Sequence, residues 1–451
     1  MCYGDSLMSR LNRYACLETF AVLAFCYTLS MPAVSQTSLE TVRGIYRQYT
    51  PENFDDGGEI SHYVWKNSSS FFLQATVART QPERSLNNKL YSGLASALVD
   101  TESGQQRFET YVENSQYIDG LIVLAGGQII FESYPNMEAY DRHLSWSITK
   151  VVVSTALAAL ESQGRVNVDR SASDYLPDLI GSDWQGISLR DIVNMASGID
   201  CLDSDGYQNT ETCIYRYEES LGLTAAVNPA QSTLENLRLM RRHRPSGEKY
   251  EYVSADTFVT GLVVESITGK PLWLALQGLI WEKIGAEADA LMMINAAGIP
   301  ASHGGLSARL LDLARFGEIF TSDDYLGVVS ASHLADLASD KGIAFDKAQI
   351  AQLTGLFNQD VPKKAAWQWD MIWTDGAMFK GGYSGQGIFV DPGRDFVAVW
   401  YGTSGIGGQS HQLLPMIRKL SKDHGNRENT GKDRALTGGL PEAEPSRQAV
   451  Q

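Results

Sequence analysis

Strand-forming runs stand at both ends of a long helix-forming middle, and no other feature of this 451-residue chain narrows its fold as much. The first runs are GLIVLA and QIIFESY, either side of Gly126-Gly127. β-Branched and aromatic residues flanking a tight Gly-Gly turn predict a hairpin. The last runs are WQWDMIW, AMFKGG, GQGIFV and DFVAVWY, broken at Asp375-Gly376 and Asp391-Pro392-Gly393. They predict an antiparallel meander. Apolar residues recur at helical spacing from Ile148 to about Ser162, where Gly164 ends the pattern. Residues 165–320 read as mostly helical: SLRDIVNMA, a basic stretch at 231–243, helices at 256–267 and 271–284, and SARLLDLARFGEIF at 307–320. The order predicts an α+β fold, with an antiparallel sheet built from both chain ends, flanked by helices and carrying a mostly helical insertion.

The segments outside that body read differently. Residues 1–35 have the pattern of a signal peptide: Arg10 and Arg13, then the uncharged TFAVLAFCYTLSMPAV, then small residues at Ala33-Val34-Ser35 ahead of Gln36. The uncharged run is shorter than the ~20 residues of a spanning helix. Export to a periplasmic or secreted location is expected. Only a retained segment would tie the chain to a membrane. Residues 36–110 read as an N-terminal extension around a main domain at 111–422, and 423–451, polar and without aromatics, read as a disordered tail. Downstream of the signal only Cys201 and Cys213 remain, twelve apart. In an exported chain they are expected as a disulfide, or else as two free thiols.

Composition excludes more than it identifies. The 37 Lys+Arg against 53 Asp+Glu leave a net charge of −16, which repels phosphate backbones, so no nucleic-acid partner is expected. There is no C-x-x-C, no H-E-x-x-H, no phosphate loop and no dinucleotide fingerprint, so no metal and no organic cofactor is expected. Asp203-Ser204-Asp205-Gly206 hints at a calcium loop but lacks the closing Glu, and reads as a turn.

Chemistry is carried by LSWSITK at the start of the first long helix. Ser147 and Lys150 are three apart, which puts both side chains on one helix face. A serine hydroxyl is a weak nucleophile at neutral pH and needs a base or a cation to favour its alkoxide. A lysine one turn later can do either once burial or a neighbouring charge favours its neutral form. Alone, such a pair reads better as an ordinary N-cap serine and a surface lysine. Two further segments alter that weighting: GEKYEYVSADT, holding Tyr252 and Ser254, and KGGYSGQ, beginning at Lys380.

Together the three segments resemble the serine β-lactamase and penicillin-binding-protein superfamily, in which S-x-x-K, then Y-x-N or Y-x-S, then K/H-x-G follow in that order. The resemblance spans about residues 118–420 and includes SLRDIVNMASG and GLSARLLDLARFG. It falls on the class C side. Y-x-S-x-D-T is most similar to 6-aminohexanoate-dimer hydrolases and related esterases. Class C lactamases usually carry Asn where Ser254 stands, whereas Lys380 matches the lactamase and peptidase form of the third motif.

The resemblance implies a serine hydrolase acting through an acyl-enzyme. Ser147 would attack a carbonyl, Lys150 would lower the cost of its alkoxide, and Tyr252 would serve as general base and then acid. An unperturbed tyrosine titrates near ~10, so Lys150 and Lys380 are expected to bring it down. Tyr250 is the rival for that role; the two-residue spacing to Ser254 favours Tyr252. Backbone N–H groups of Ser147 and Tyr383 would form the oxyanion hole, where one donor is typically worth about 2.7–4 kcal/mol. Ser254, Lys380, Gly381, Gly382 and Tyr207 would contact substrate, Ser254 by orienting it or Lys150. The expected partner is a small-molecule ester, amide or lactam. A β-lactamase or D-Ala-D-Ala carboxypeptidase is the alternative hydrolase. A sensor that is acylated once, or a scaffold, is the alternative of another class. A Ser-His-Asp hydrolase is disfavoured by the absence of G-x-S-x-G.

Overall fold

The structure is a computed structural model that describes residues 38–437 apart from 323, 407 and 409–411. The segment read as a signal peptide lies outside them, as do residues 438–451. The chain divides into two units, residues 1–47 and 48–451. The described part of the first is the helix Leu39–Gln48, whose last residue belongs to the second.

The second unit is built on a nine-stranded sheet. Its order is Ile343–Ala344, Lys364–Ala366, Trp369–Ile372, Met378–Gly381, Gly387–Asp391, Phe396–Gly402, Ile118–Ala125, Gln128–Ser133 and Asn87–Asn88. All neighbours are antiparallel except the last pair. The C-terminal strand Phe396–Gly402 pairs with Ile118–Ala125, so the sheet is closed by both chain ends, as the strand runs predict. Its central strands Ile118–Ala125, Gly387–Asp391 and Phe396–Gly402 are buried at every residue because both faces of the sheet are covered there. Ile122, Leu124, Ile388, Val397 and Val399 pack with the helices on one side, while Leu121, Val123, Phe389, Ala398 and Trp400 pack with the C-terminal helix on the other.

The helix Ile148–Ser162 is buried at every residue from Ile148 to Leu160, where the polar positions are Thr149, Lys150, Ser154 and Thr155 and the rest are apolar. The helix Ser254–Thr268 packs beside it. Beyond the second of these, the middle of the chain departs from the helical expectation at two places. Residues Ala290–Met293 and Leu306–Arg309 are strands of a second, four-stranded sheet with Gln74–Val77 and Arg142–Leu144. The helix expected at 307–320 therefore begins at Leu310. Pairing with neighbours overrides local helical periodicity in these short runs.

Residues 423–437, read as the start of a disordered tail, are instead helical, continuing the helix Leu413–Thr437. Buried Leu413, Ile417 and Leu420 anchor its beginning, and a helix once nucleated extends cheaply through polar residues; the Lys419–Asp423 pair, one turn apart, is an example. Cys201 and Cys213 are joined in a disulfide, with an S–S distance of 2.07 Å.

Candidate active site

Ser147 lies at the N-terminal boundary of the buried helix, but its side chain makes no capping bond. Its Oγ instead accepts a hydrogen bond from Lys150 Nζ at 3.2 Å and faces the Tyr252 phenol across the same cavity. The alternative of an N-cap serine and a surface lysine is thus not what the fold builds; Lys150 is 1% exposed. The turn into the helix is held in an unusual conformation, since Trp146 has φ 46°, a left-handed value that a large side chain adopts only where surroundings impose it. Phe54 stacks on Trp146 at 5.6 Å, and Trp65 and Tyr383 meet it edge-on at 5.5 and 5.4 Å.

The third motif reaches the same place from the sheet. A Cβ on Gly382 would lie 2.8 Å from the Ser145 carbonyl oxygen and 2.8 Å from Gln386 Cβ. Close approach to the nucleophile segment therefore requires glycine here. At Gly381 the nearest atoms would be 3.4 Å away, in Phe379, so no neighbour forbids a side chain there; its N–H donates to Asp370 Oδ2 at 3.0 Å. The approach of Gly382 sets Tyr383 beside Trp146 and Ser147. Among the described residues no backbone acceptor takes the N–H of Ser147 or Tyr383, the two groups expected to hold an oxyanion.

Lys380 is fully buried. Its Nζ donates to Asp370 Oδ1 at 2.6 Å and to Tyr252 Oη at 2.9 Å. It also sits 4.4 Å from the Tyr252 ring centre, with Lys150 Nζ at 5.1 Å. The phenol is therefore bracketed by two ammonium groups and faces the nucleophile. Tyr250 points elsewhere, donating to Asp370 Oδ1 at 3.4 Å.

The protonation balance differs from the sequence expectation. Burial, then Asp370 and Asp203, push the Tyr252 phenol well above its ordinary value, outweighing the opposing influence of the Ser147 hydroxyl. Asp370 neutralises Lys380, so little of that charge is left to draw the phenol down. Lys150 moves the other way. Burial brings its ammonium down to about 7, with Lys380 adding to the fall and Asp203, Glu218 and Asp370 opposing it. The group poised near neutrality is the lysine.

Ser254 and Tyr207 both meet Asp203. The Ser254 hydroxyl and N–H donate to Asp203 Oδ1 and Oδ2, at 2.5 and 2.8 Å. The Tyr207 hydroxyl donates to Asp203 Oδ1. Both residues line the cleft, but the recorded bonds of Lys150 Nζ go to Ser147 and to the His303 carbonyl, the latter at 2.8 Å. His303 in turn pairs with Glu218 at 2.8 Å and with the Tyr217 hydroxyl at 3.0 Å.

These groups open into one cavity of about 380 Å³, lined by Ser147, Lys150, Tyr252, Ser254, Tyr207, Gly381, Gly382 and Tyr383. The sequence reading missed Asp203, Glu218, His303 and Asp370, and, from the N-terminal extension, Glu52, Phe54 and Asp55. One signal was available: Asp370 is a lone carboxylate inside the apolar run WQWDMIW. Asp55 is pushed up to about 6, by burial first and then by Asp56.

Known proteins bear on this arrangement in three ways. The Beta-lactamase family profile matches residues 97–420. The 6-aminohexanoate-dimer hydrolase of Paenarthrobacter ureafaciens is 28% identical over 352 residues, covering 76% of this chain and 86% of that one. Among solved structures, a Bacillus anthracis protein named after 6-aminohexanoate-dimer hydrolase superposes with a TM-score of 0.70 at 18% identity, covering 85% of this chain and 98% of its own. EstCE1, a hydrolase with promiscuous acyltransferase activity, gives 0.53 at 16% identity, covering 67% and 93%. With the family match extending over most of its length, the chain belongs to the Beta-lactamase family and is a serine hydrolase of that family.

Proposed function

We propose that the protein cleaves short linear amides or esters through an acyl-enzyme on Ser147. The observation that carries this is the 3.2 Å contact between Ser147 Oγ and a buried Lys150 whose amine is poised near neutrality. Ser147 Oγ attacks the carbonyl carbon while neutral Lys150 takes its proton. The N–H groups of Ser147 and Tyr383, at the positive end of the helix, accept the charge that develops on the carbonyl oxygen. The C–N or C–O bond then breaks, and the leaving group takes a proton from the Tyr252 hydroxyl, which Lys150 replenishes. Water repeats the sequence on the ester and releases the acid.

The walls favour a neutral or cationic substrate. Glu52, Asp55, Asp203, Glu218 and Asp370 all line the cleft, and among the described residues Lys150 is the one lysine or arginine that does. Lactams and D-Ala-D-Ala peptides present a carboxylate, and Lys380, the cation expected to meet it, is already engaged by Asp370 at 2.6 Å. A linear amide bearing an ammonium group suits these walls better, as does the likeness to the Paenarthrobacter ureafaciens enzyme. The test is a panel of p-nitrophenyl esters, nitrocefin, D-Ala-D-Ala peptides and short linear amides with and without a terminal amine, read by steady-state rates and intact mass. Amine-bearing amides and neutral esters are expected to turn over with a transient acyl adduct. Fastest turnover on nitrocefin would reject the substrate assignment. A stoichiometric burst without turnover would favour the sensor.

We also propose export to an oxidising compartment, supported by the signal-like pattern of residues 1–35 and by the disulfide. N-terminal sequencing of protein from the native cell envelope or medium should begin at Gln36. A mature chain still starting at Met1 in the cytoplasmic fraction would refute it.

A further inference from the structure

We propose that Asp203, carried on the loop closed by the Cys201–Cys213 disulfide, is a positioning residue of this site: it fixes residues 252–254, and with them the Tyr252 phenol, against Ser147 and Lys150. The proposal rests on the serine-hydrolase reading and adds a residue outside the three motifs.

Three bonds stitch the loop to the segment that carries the phenol. The Asp203 N–H donates to the Tyr252 carbonyl at 3.1 Å. The Ser254 N–H and hydroxyl donate to the two Asp203 carboxylate oxygens at 2.8 and 2.5 Å. Asp203 thus holds the backbone on both sides of Val253, and so the direction in which Tyr252 projects. The Tyr207 hydroxyl, from the same loop, shares Asp203 Oδ1 and reaches the cleft wall. The bonded cysteines stand two residues before Asp203 and six after Tyr207. Cys201 is fully buried, so the loop is anchored in the core while its middle faces the cavity. Asp203 has no lysine or arginine partner among the described ion pairs, whereas Asp370 is paired with Lys380 and Glu218 with His303.

The charged and titratable groups around Lys150 come from several elements, among them His303, whose carbonyl accepts from Lys150 Nζ at 2.8 Å and whose ring pairs with Glu218. Asp203 and Glu218 come from the disulfide loop and the helix that follows it, Asp370 and Lys380 from two neighbouring strands, and Tyr252 presents its ring. Of the opposing carboxylates, Asp203 has the largest influence on the amine, and it favours the protonated form. Removing its charge should therefore move the acidic limb of the rate profile to lower pH.

The test is the pH profile of kcat/KM on a p-nitrophenyl ester. In Asp203→Asn, the acidic limb should shift down by about one pH unit, and kcat should fall about 10- to 100-fold through displaced geometry. Asp203→Glu, which keeps the charge on a longer arm, should restore the limb without restoring kcat. The double variant Cys201→Ser/Cys213→Ser should lower kcat with a smaller movement of the limb in the same direction. A purely structural role would lower rates at every pH and leave the limb in place, and that outcome in Asp203→Asn overturns the proposal. Should that variant not fold, a wild-type limb in the double cysteine variant together with undiminished kcat does the same. Labelling of Ser147 by a fluorophosphonate separates the two levels: an unlabelled wild-type protein defeats the hydrolase reading itself, whereas a labelled protein with an unmoved limb defeats only the role of Asp203.

Discussion

Ser147→Ala is expected to lower turnover by roughly 10⁴- to 10⁶-fold, the scale on which loss of a nucleophile acts in a cooperating catalytic set. The alanine leaves the backbone N–H in place, so oxyanion stabilisation persists and accounts for a residual rate. It should fold, because the serine side chain is half-buried and makes no capping bond that the helix needs. A thermal melt within a few degrees of wild type, loss of the fluorophosphonate adduct and loss of the acyl species in intact mass are the three measurements. Retention of more than a tenth of the wild-type rate on the best substrate would move the nucleophile to another residue.

Lys150→Met is expected to cost about 10³-fold or more in kcat and to abolish the acidic limb of the pH profile. The sign follows from the base assignment. The working form of Lys150 is the neutral amine, its ammonium is brought down to about 7, and each pH unit below that value should reduce the wild-type rate about tenfold. Methionine has similar length, tolerates full burial and cannot take a proton, so the variant should stay folded at low rate across the whole range. If it keeps both the rate and the limb, the base lies elsewhere, with Tyr252 the next group in reach. The raised phenol makes that second outcome unfavourable at neutral pH.

What could be read in advance divides along a physical line. Ser147 and Lys150 were legible because helical spacing puts them on one face and two further motifs follow in the order of a known superfamily, which also singled out Tyr252 and Lys380. The sheet closed by both chain ends was legible because its strands alternate between two buried faces. The charge state of Tyr252 was not, since it depends on Asp370 and Asp203, which approach it only in the folded chain. The same holds for Ser254, whose hydroxyl is committed to a carboxylate fifty-one residues away in sequence. The strands Ala290–Met293 and Leu306–Arg309 escaped because each is four residues long and is fixed by its pairing partners.

The wall opposite the chemistry is encoded upstream of it. Phe54 and Asp55 precede the matched family region, which begins at residue 97, as does the strand Gln74–Val77 that covers one side of Ala290–Met293. A polypeptide started at that boundary would keep all three motifs yet lose its prop under Trp146 and leave a bare sheet edge open to other chains. Exchanging this leading portion between relatives is therefore a way to change what gains admission while leaving the cutting apparatus untouched.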